Sequence, residues 1–193
     1  MLTLGILGSG SGSNMQAIVD AISRGDLRAR IAIVLSDQPT ATILKRAENL
    51  GIPSATIDCG GHKTKFPLQS QMETADKLKN AKVDLVCLAG FMRLVKKPLL
   101  DAFPSRIINI HPSLLPKFPG VSAWKQAIQA NAKETGATVH VVDSGMDTGP
   151  IILQDSLEID PSESSEGLHE RIKKLEHRLY PLAIQEHAEA LKL

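Results

Sequence analysis

Aromatic side chains are scarce: four phenylalanines, one tyrosine and one tryptophan among 193 residues. Six rings cannot tile a surface for successive bases, which excludes a base-stacking platform. Net charge is almost absent as well. Lys and Arg number 22, Asp and Glu 21, leaving +1. Such a balance gives no general attraction for nucleic acid or an anionic membrane, so neither is expected as a partner. Any anion must be held at a local site. No apolar run approaches 18 residues, which excludes a transmembrane helix of ordinary length. The basic start and long apolar run of a signal peptide are missing too. Only two cysteines occur, Cys59 and Cys87, and they form no C-x-x-C pair. Neither a zinc clip nor a redox motif is supported, and free thiols in the cytoplasm are the expectation. His62, His169, His177 and His187 show no ligand spacing, so no metal is expected.

What is present is globular composition, 42% hydrophobic and 22% charged, over the length of one domain. The first half alternates apolar runs with amphipathic segments. Leu2 to Leu7 predicts a buried strand, and Asn14 to Ser23 a helix with Met15, Ile18, Val19 and Ile22 on one face. Further strands are predicted at Ile31 to Leu35, Ser54 to Ile57, Leu85 to Ala89 and Arg106 to Ile110. Helices are predicted after Pro39, over Thr64 to Asn80 and over Pro98 to Ala102. This order implies parallel strands with crossover helices, an α/β doubly wound, mostly parallel open sheet. Ala137 to Val142 and Pro150 to Ile159 then flank a turn-rich loop and read as an antiparallel C-terminal extension. A last helix spans about Ser165 to Tyr180, with Pro181 kinking it or starting another. No repeat or linker divides the chain, so one domain over residues 1–193 is expected.

Two segments carry chemistry. Gly8-Ser9-Gly10-Ser11-Gly12-Ser13-Asn14 joins the first strand to the first helix. Free backbone N–H groups at a helix start favour an anion, and glycines allow close approach. Ser13 breaks the dinucleotide fingerprint, and no lysine completes a Walker loop. A single phosphate fits; a plain connection capped by Ser13 or Asn14 is the alternative.

The second is Asn109-Ile110-His111-Pro112, at the C-terminal edge of the fifth strand. Alternation places Asn109 and His111 on one side, and Pro112 keeps His111 extended. Ligands of open α/β sheets bind at that edge. If Asp147 reached His111, it would stabilise the imidazolium, and Asn109 with His111 could support an oxyanion. No serine or cysteine nucleophile accompanies them. Direct acyl transfer to an amine is the chemistry suggested.

Asn109-Ile110-His111-Pro112-Ser113-Leu114-Leu115-Pro116 with Gly120 resembles the signature of folate-dependent formyltransferases. Gly12-Ser13-Asn14, Gly90-Phe91-Met92-Arg93, Asp147-x-Gly149-Pro150 and Glu176-His177-x-x-Tyr180-Pro181 narrow the resemblance to the branch that formylates glycinamide ribonucleotide in purine synthesis. It runs from about residue 3 to 182. It implies a Rossmann-like formyltransferase fold, 10-formyltetrahydrofolate as co-substrate and glycinamide ribonucleotide as acceptor. It implies a catalytic trio of Asn109, His111 and Asp147, with His111 held protonated by Asp147. Gly12, Ser13, Asn14, Glu176 and Lys173 would contact the ribonucleotide, Lys173 by pairing with Glu176 or touching the ribose. Met92, Arg93, Leu94, Val95, Asn109, Asp143, Ser144, Gly145, Met146 and Lys65 would contact folate. The ribonucleotide half would cover about 1–100, and the folate and catalytic half about 90–193. A homodimer is left open.

The resemblance has departures. Relatives commonly carry histidine at the helix start after the Pro-Gly turn, where this chain has Ala123-Trp124. The stretch around Phe66-Pro67-Leu68 is also atypical. Methionyl-tRNA formyltransferases add an RNA-binding domain for which there is no room. Formyltetrahydrofolate hydrolases share the trio but normally carry a regulatory domain ahead of a first strand that here starts at Leu2. A non-catalytic nucleotide-binding module would leave Asn109 and His111 without purpose.

Overall fold

Leu2–Leu7 forms β1, buried at every position. A run that is apolar on both faces belongs in the interior of a covered parallel sheet. β1 pairs in parallel with β2 (Ala29–Ser36) on one edge and with β4 (Leu85–Leu88) on the other. β3 (Ser54–Thr56) extends the sheet beyond β2, and β5 (Ile107–His111) beyond β4. β6 (Glu134–Val141) and β7 (Ile151–Glu158) then add antiparallel strands, giving the order β3-β2-β1-β4-β5-β6-β7. The doubly wound sheet with an antiparallel extension is therefore as the sequence predicts. The computed structural model describes residues 1–62 and 65–193.

Helices cover both faces. On one side α1 (Ser13–Arg24), α2 (Thr42–Asn49) and α6 (Ser165–Leu191) bury Met15, Ile18, Ile43 and Ile184 against Leu4 and Ile6. On the other, α3 (Leu68–Asn80) and α4 (Lys97–Ala102) bury Leu78 and Leu99 against Leu7 and Val86. Each such side chain contributes about 1.5–3 kcal/mol on burial. A short α5 (Ala123–Gln129) precedes β6. The Tyr180 hydroxyl lies 2.9 Å from the Leu88 carbonyl and 3.2 Å from that of Ile108, donating between them. This contact pins α6 across β4 and β5.

Two helix boundaries differ from expectation by more than one residue. α3 starts at Leu68, not Thr64, and Thr64 itself lies outside the described residues. Pro67 is extended (φ −59°, ψ 151°), and its ring disfavours helical backbone at Phe66. α6 does not stop at Tyr180 but runs through Pro181 to Leu191. Ala183, Ile184 and Ala188 beyond the proline are buried in the core, and their packing outweighs the lost hydrogen bond.

Candidate active site

Strand order reverses between β1 and β4, and the crevice outside their carboxyl ends is where an open α/β sheet binds ligands. The loop after β1 is tied across that point by Ser9 N–H donating to the Gly90 carbonyl. A cavity of about 480 Å³ opens there. Gly12 adopts φ 75°, and a Cβ would stand 2.9 Å from Ile43 Cα. Glycine alone lets this turn pack on α2 and start α1.

One wall comes from the two ends of the chain's topology. Gly12, Ser13 and Asn14 face α6, whose His169, Lys173 and Glu176 line the cavity at helical spacing. Asn14 Nδ2 donates to Glu176 Oε2 at 2.9 Å, deep in the wall. Burial pushes the Glu176 carboxyl up to about 7, the Asn14 amide and Lys173 ammonium only partly offsetting it. Asn14 Oδ1 is buried without a hydrogen-bond partner among the described residues. Lys173 does not pair with Glu176; its Nζ donates to Glu170 at 2.7 Å. Three residues along the helix, Glu170 is exposed and offers that contact without desolvation.

Asn109 and His111 stand at the end of β5, both lining the cavity. His111 is 4% exposed. Its Nε2 lies 2.9 Å from the Phe118 carbonyl and its Nδ1 3.4 Å from Asp147 Oδ2. Asp147 is brought there by the turn between β6 and β7, in a left-handed conformation (φ 56°). The turn can close because Gly149 lies against the Val141 carbonyl, where any Cβ would collide. Asp147 Oδ2 also accepts the Gly120 N–H at 2.8 Å, and Oδ1 lies 3.6 Å from His140 Nε2. His140 is the cross-strand partner of Asn109, and Asn109 Nδ2 lies 3.1 Å from His140 Nε2. A register shift in β6 falls between Val139 and His140, beside these groups.

Asp147 faces His111, and its charge favours the protonated imidazole. Burial lowers the His111 pKa below its ordinary value, exceeding the opposing pull of Phe118 and Asp147, and His140 adds to the lowering. Asp147 itself is pushed up by burial, yet His140, the Gly120 N–H and His111 together hold it below the usual carboxylate range.

The opposite wall holds Met92, Leu94, Val95, Asp143, Gly145 and Met146. Met92 and Met146 are exposed apolar side chains at its rim. Arg93 borders the cavity, but its guanidinium turns away into the core. It pairs with Asp37 at 2.6 Å and donates to the carbonyls of His62 and Lys65. Burial alone would raise Asp37; hydrogen bonds from Ser9, Gln38 and Arg93 pull it below its usual value. Arg93 is thus a structural cation rather than a free pocket group. Lys65 and Ser144 do not line the cavity. Lys65 is exposed with its carbonyl on Arg93, and the Ser144 carbonyl accepts from Lys96 Nζ at 3.0 Å.

His169 and Trp124 also line the cavity, and the sequence reading gave neither a site role. His169 carried a signal, since it precedes Lys173 and Glu176 by one and two turns. Its ring stacks on Trp124, centroids 3.7 Å apart and planes 3° apart. That contact joins α5 to α6, and nothing in residue spacing announces it. Among the described residues, no cluster of three or more His, Cys, Asp or Glu side chains is placed to hold a metal ion. No helix among them is long and apolar enough to cross a membrane.

Comparison with known proteins agrees with this geometry. Residues 3–184 match the formyl transferase family. Over 186 residues the chain is 42% identical to phosphoribosylglycinamide formyltransferase of Bacillus subtilis (strain 168), covering 96% of this chain and 94% of that protein. It is 43% identical over 181 residues to the trifunctional purine biosynthetic protein adenosine-3 of Drosophila melanogaster, covering 93% of this chain and 13% of that protein. The crystal structure of glycinamide ribonucleotide transformylase 1 from Symbiobacterium toebii superposes with a TM-score of 0.94 at 45% identity, covering 98% of this chain and 89% of that one. With the Asn109, His111 and Asp147 side chains gathered at the end of β5, the chain belongs to the formyl transferase family.

Proposed function

We propose that this protein transfers the formyl group of 10-formyltetrahydrofolate to the amine of glycinamide ribonucleotide. The observation that carries the reading is Asn109, His111 and Asp147 meeting in a cavity whose two walls differ in chemistry. The wall of Gly12, Ser13, Asn14, Lys173 and Glu176 is polar and begins at a helix N-terminus, as a phosphate and a ribose require. The wall of Met92, Leu94, Val95 and Met146 is apolar, as a flat pterin requires. On this reading the ribonucleotide half covers about 1–100 and the folate half about 90–193.

The bookkeeping of bonds is simple. The acceptor nitrogen attacks the formyl carbon and a C–N bond forms. The carbonyl becomes a tetrahedral oxyanion, stabilised by Asn109 and His111. His111 carries the positive charge as imidazolium by taking the proton that the attacking nitrogen sheds and giving it up toward N10, with Asp147 balancing that charge. The bond from the formyl carbon to the folate N10 then breaks. One proton leaves the attacking nitrogen and one arrives on N10, with Asp147 close enough to relay it. No covalent enzyme intermediate is needed.

The test is absorbance-monitored consumption of a 10-formylfolate donor, with and without glycinamide ribonucleotide. Consumption that requires the ribonucleotide is expected. Consumption without it would identify a hydrolase on the same site, and none in either case would leave a nucleotide-binding module.

A further inference from the structure

Phe118 to Ser122 touches both members of the central pair through its backbone. Its Phe118 carbonyl meets His111 Nε2 at 2.9 Å, and its Gly120 N–H donates to Asp147 Oδ2 at 2.8 Å. The segment is not relaxed. Phe118 and Ser122 hold φ of 57° and 56°, left-handed values that non-glycine residues avoid. Backbone of this kind persists only where its surroundings over-determine it.

The fastening can be traced. Gln126 Nε2 donates to the carbonyls of Pro119 and Val121, both at 3.0 Å, so the segment and α5 form one body. Toward the cavity, that body meets α6 through Trp124, stacked on His169. His169 lies on the same α6 face as Lys173 and Glu176. The Trp124–His169 stack therefore stands between the acceptor wall and the backbone groups that ligate His111 and Asp147.

We infer that Trp124 is a positioning residue, whose stack on His169 latches the 118–122 segment to the acceptor wall and so fixes the His111–Asp147 geometry. The inference deepens the function proposed above and rests on it for its kinetic arm. It concerns this chain's own tryptophan, at a place where the resemblance leads one to expect histidine.

Trp124→Ala, Trp124→Phe and His169→Ala test it. Trp124→Ala should lower kcat by roughly tenfold or more, since small misplacements of reacting groups are costly. The acceptor KM should change less. Trp124→Phe keeps a ring over His169 and should restore most of kcat. The decisive readout needs no turnover: the titration of His111, followed by NMR in the protein alone. Asp147 and His140 are the titratable groups facing it. Loosening the segment exposes the ring, so the His111 midpoint should move up toward its ordinary value in Trp124→Ala and return in Trp124→Phe. A His111 curve that overlays the wild type's in Trp124→Ala overturns the latch, even if activity falls. Should that variant fail to fold, His169→Ala removes the stack from the other side and is judged by the same curve. A wild-type protein that transfers no formyl group would sink the function proposed above while leaving this titration decisive for Trp124.

Discussion

Asn14 and Glu176 stand 162 positions apart in the chain and 2.9 Å apart in the cavity wall. The carboxyl is 6% exposed, and burial raises it to about 7. Folding therefore favours its protonated form. Below the ordinary value of 4.5 the group is neutral in folded and unfolded chains alike. As pH rises from there to about 7, the unfolded chain ionises first and stability falls. The expected loss is about 3 kcal/mol across that window. Glu176→Gln should abolish it. Tm measured from pH 5 to 8 checks this, and equal slopes for both proteins would refute the assignment.

The same pair predicts a proton linkage. Ribose hydroxyls donate best to a carboxylate, so acceptor binding near pH 7 should release a proton from Glu176. Calorimetry in buffers of different ionisation enthalpy would show it. A binding enthalpy independent of buffer would count against Glu176 as the hydroxyl acceptor.

Asp147→Asn should retain the fold, because an amide oxygen can still accept the Gly120 N–H. Formyl transfer should drop by roughly 100-fold or more, since the developing imidazolium loses its counter-charge. Steady-state turnover with circular dichroism on the same sample decides it. Turnover near that of the wild type would remove Asp147 from the mechanism.

Asn14→Asp sets a second carboxylate against Glu176 and a carboxylate against the proposed phosphate. Ribonucleotide affinity should fall by roughly tenfold or more at pH 8, with less loss at pH 6 where Glu176 is protonated. Titration at the two pH values tests it. Undiminished affinity would take the loop after β1 out of ribonucleotide binding.

Arg93→Ala leaves Asp37 buried without its cation and should cost roughly 3–5 kcal/mol. Removing both charges, in Arg93→Ala with Asp37→Ala, should cost less than the single change. Denaturant unfolding of the three proteins makes the comparison. Additive losses would mean the ion pair is not coupled.

The sheet was legible because β1 and β4 are short, continuous apolar runs with turns on either side; their predicted bounds differ from the observed ones by at most a residue. Local signals misled where packing overrides them. A proline at 181 reads as a break, yet core contacts further along carry the helix to Leu191. Asn109 and His111 were legible as a strand-end pair. Their union with Asp147 came only from resemblance, since a turn nearly forty residues away gives no spacing clue. The pull of burial on His111 was not legible, because neighbours in sequence do not report it. The ion pair of Arg93 was not legible for a like reason: its partner, Asp37, belongs to another strand end.

The central place of β1 bears on how the protein is made. Its first edge is covered by β2, which ends at Ser36, but its second waits for β4 at Leu85–Leu88. At roughly 5–20 residues per second of synthesis, that edge stays open for seconds. An open, largely apolar strand edge is a template for pairing with other chains. The nascent protein is therefore most exposed to aggregation while its first half is complete and β4 has yet to emerge, a hazard that the finished sheet no longer shows.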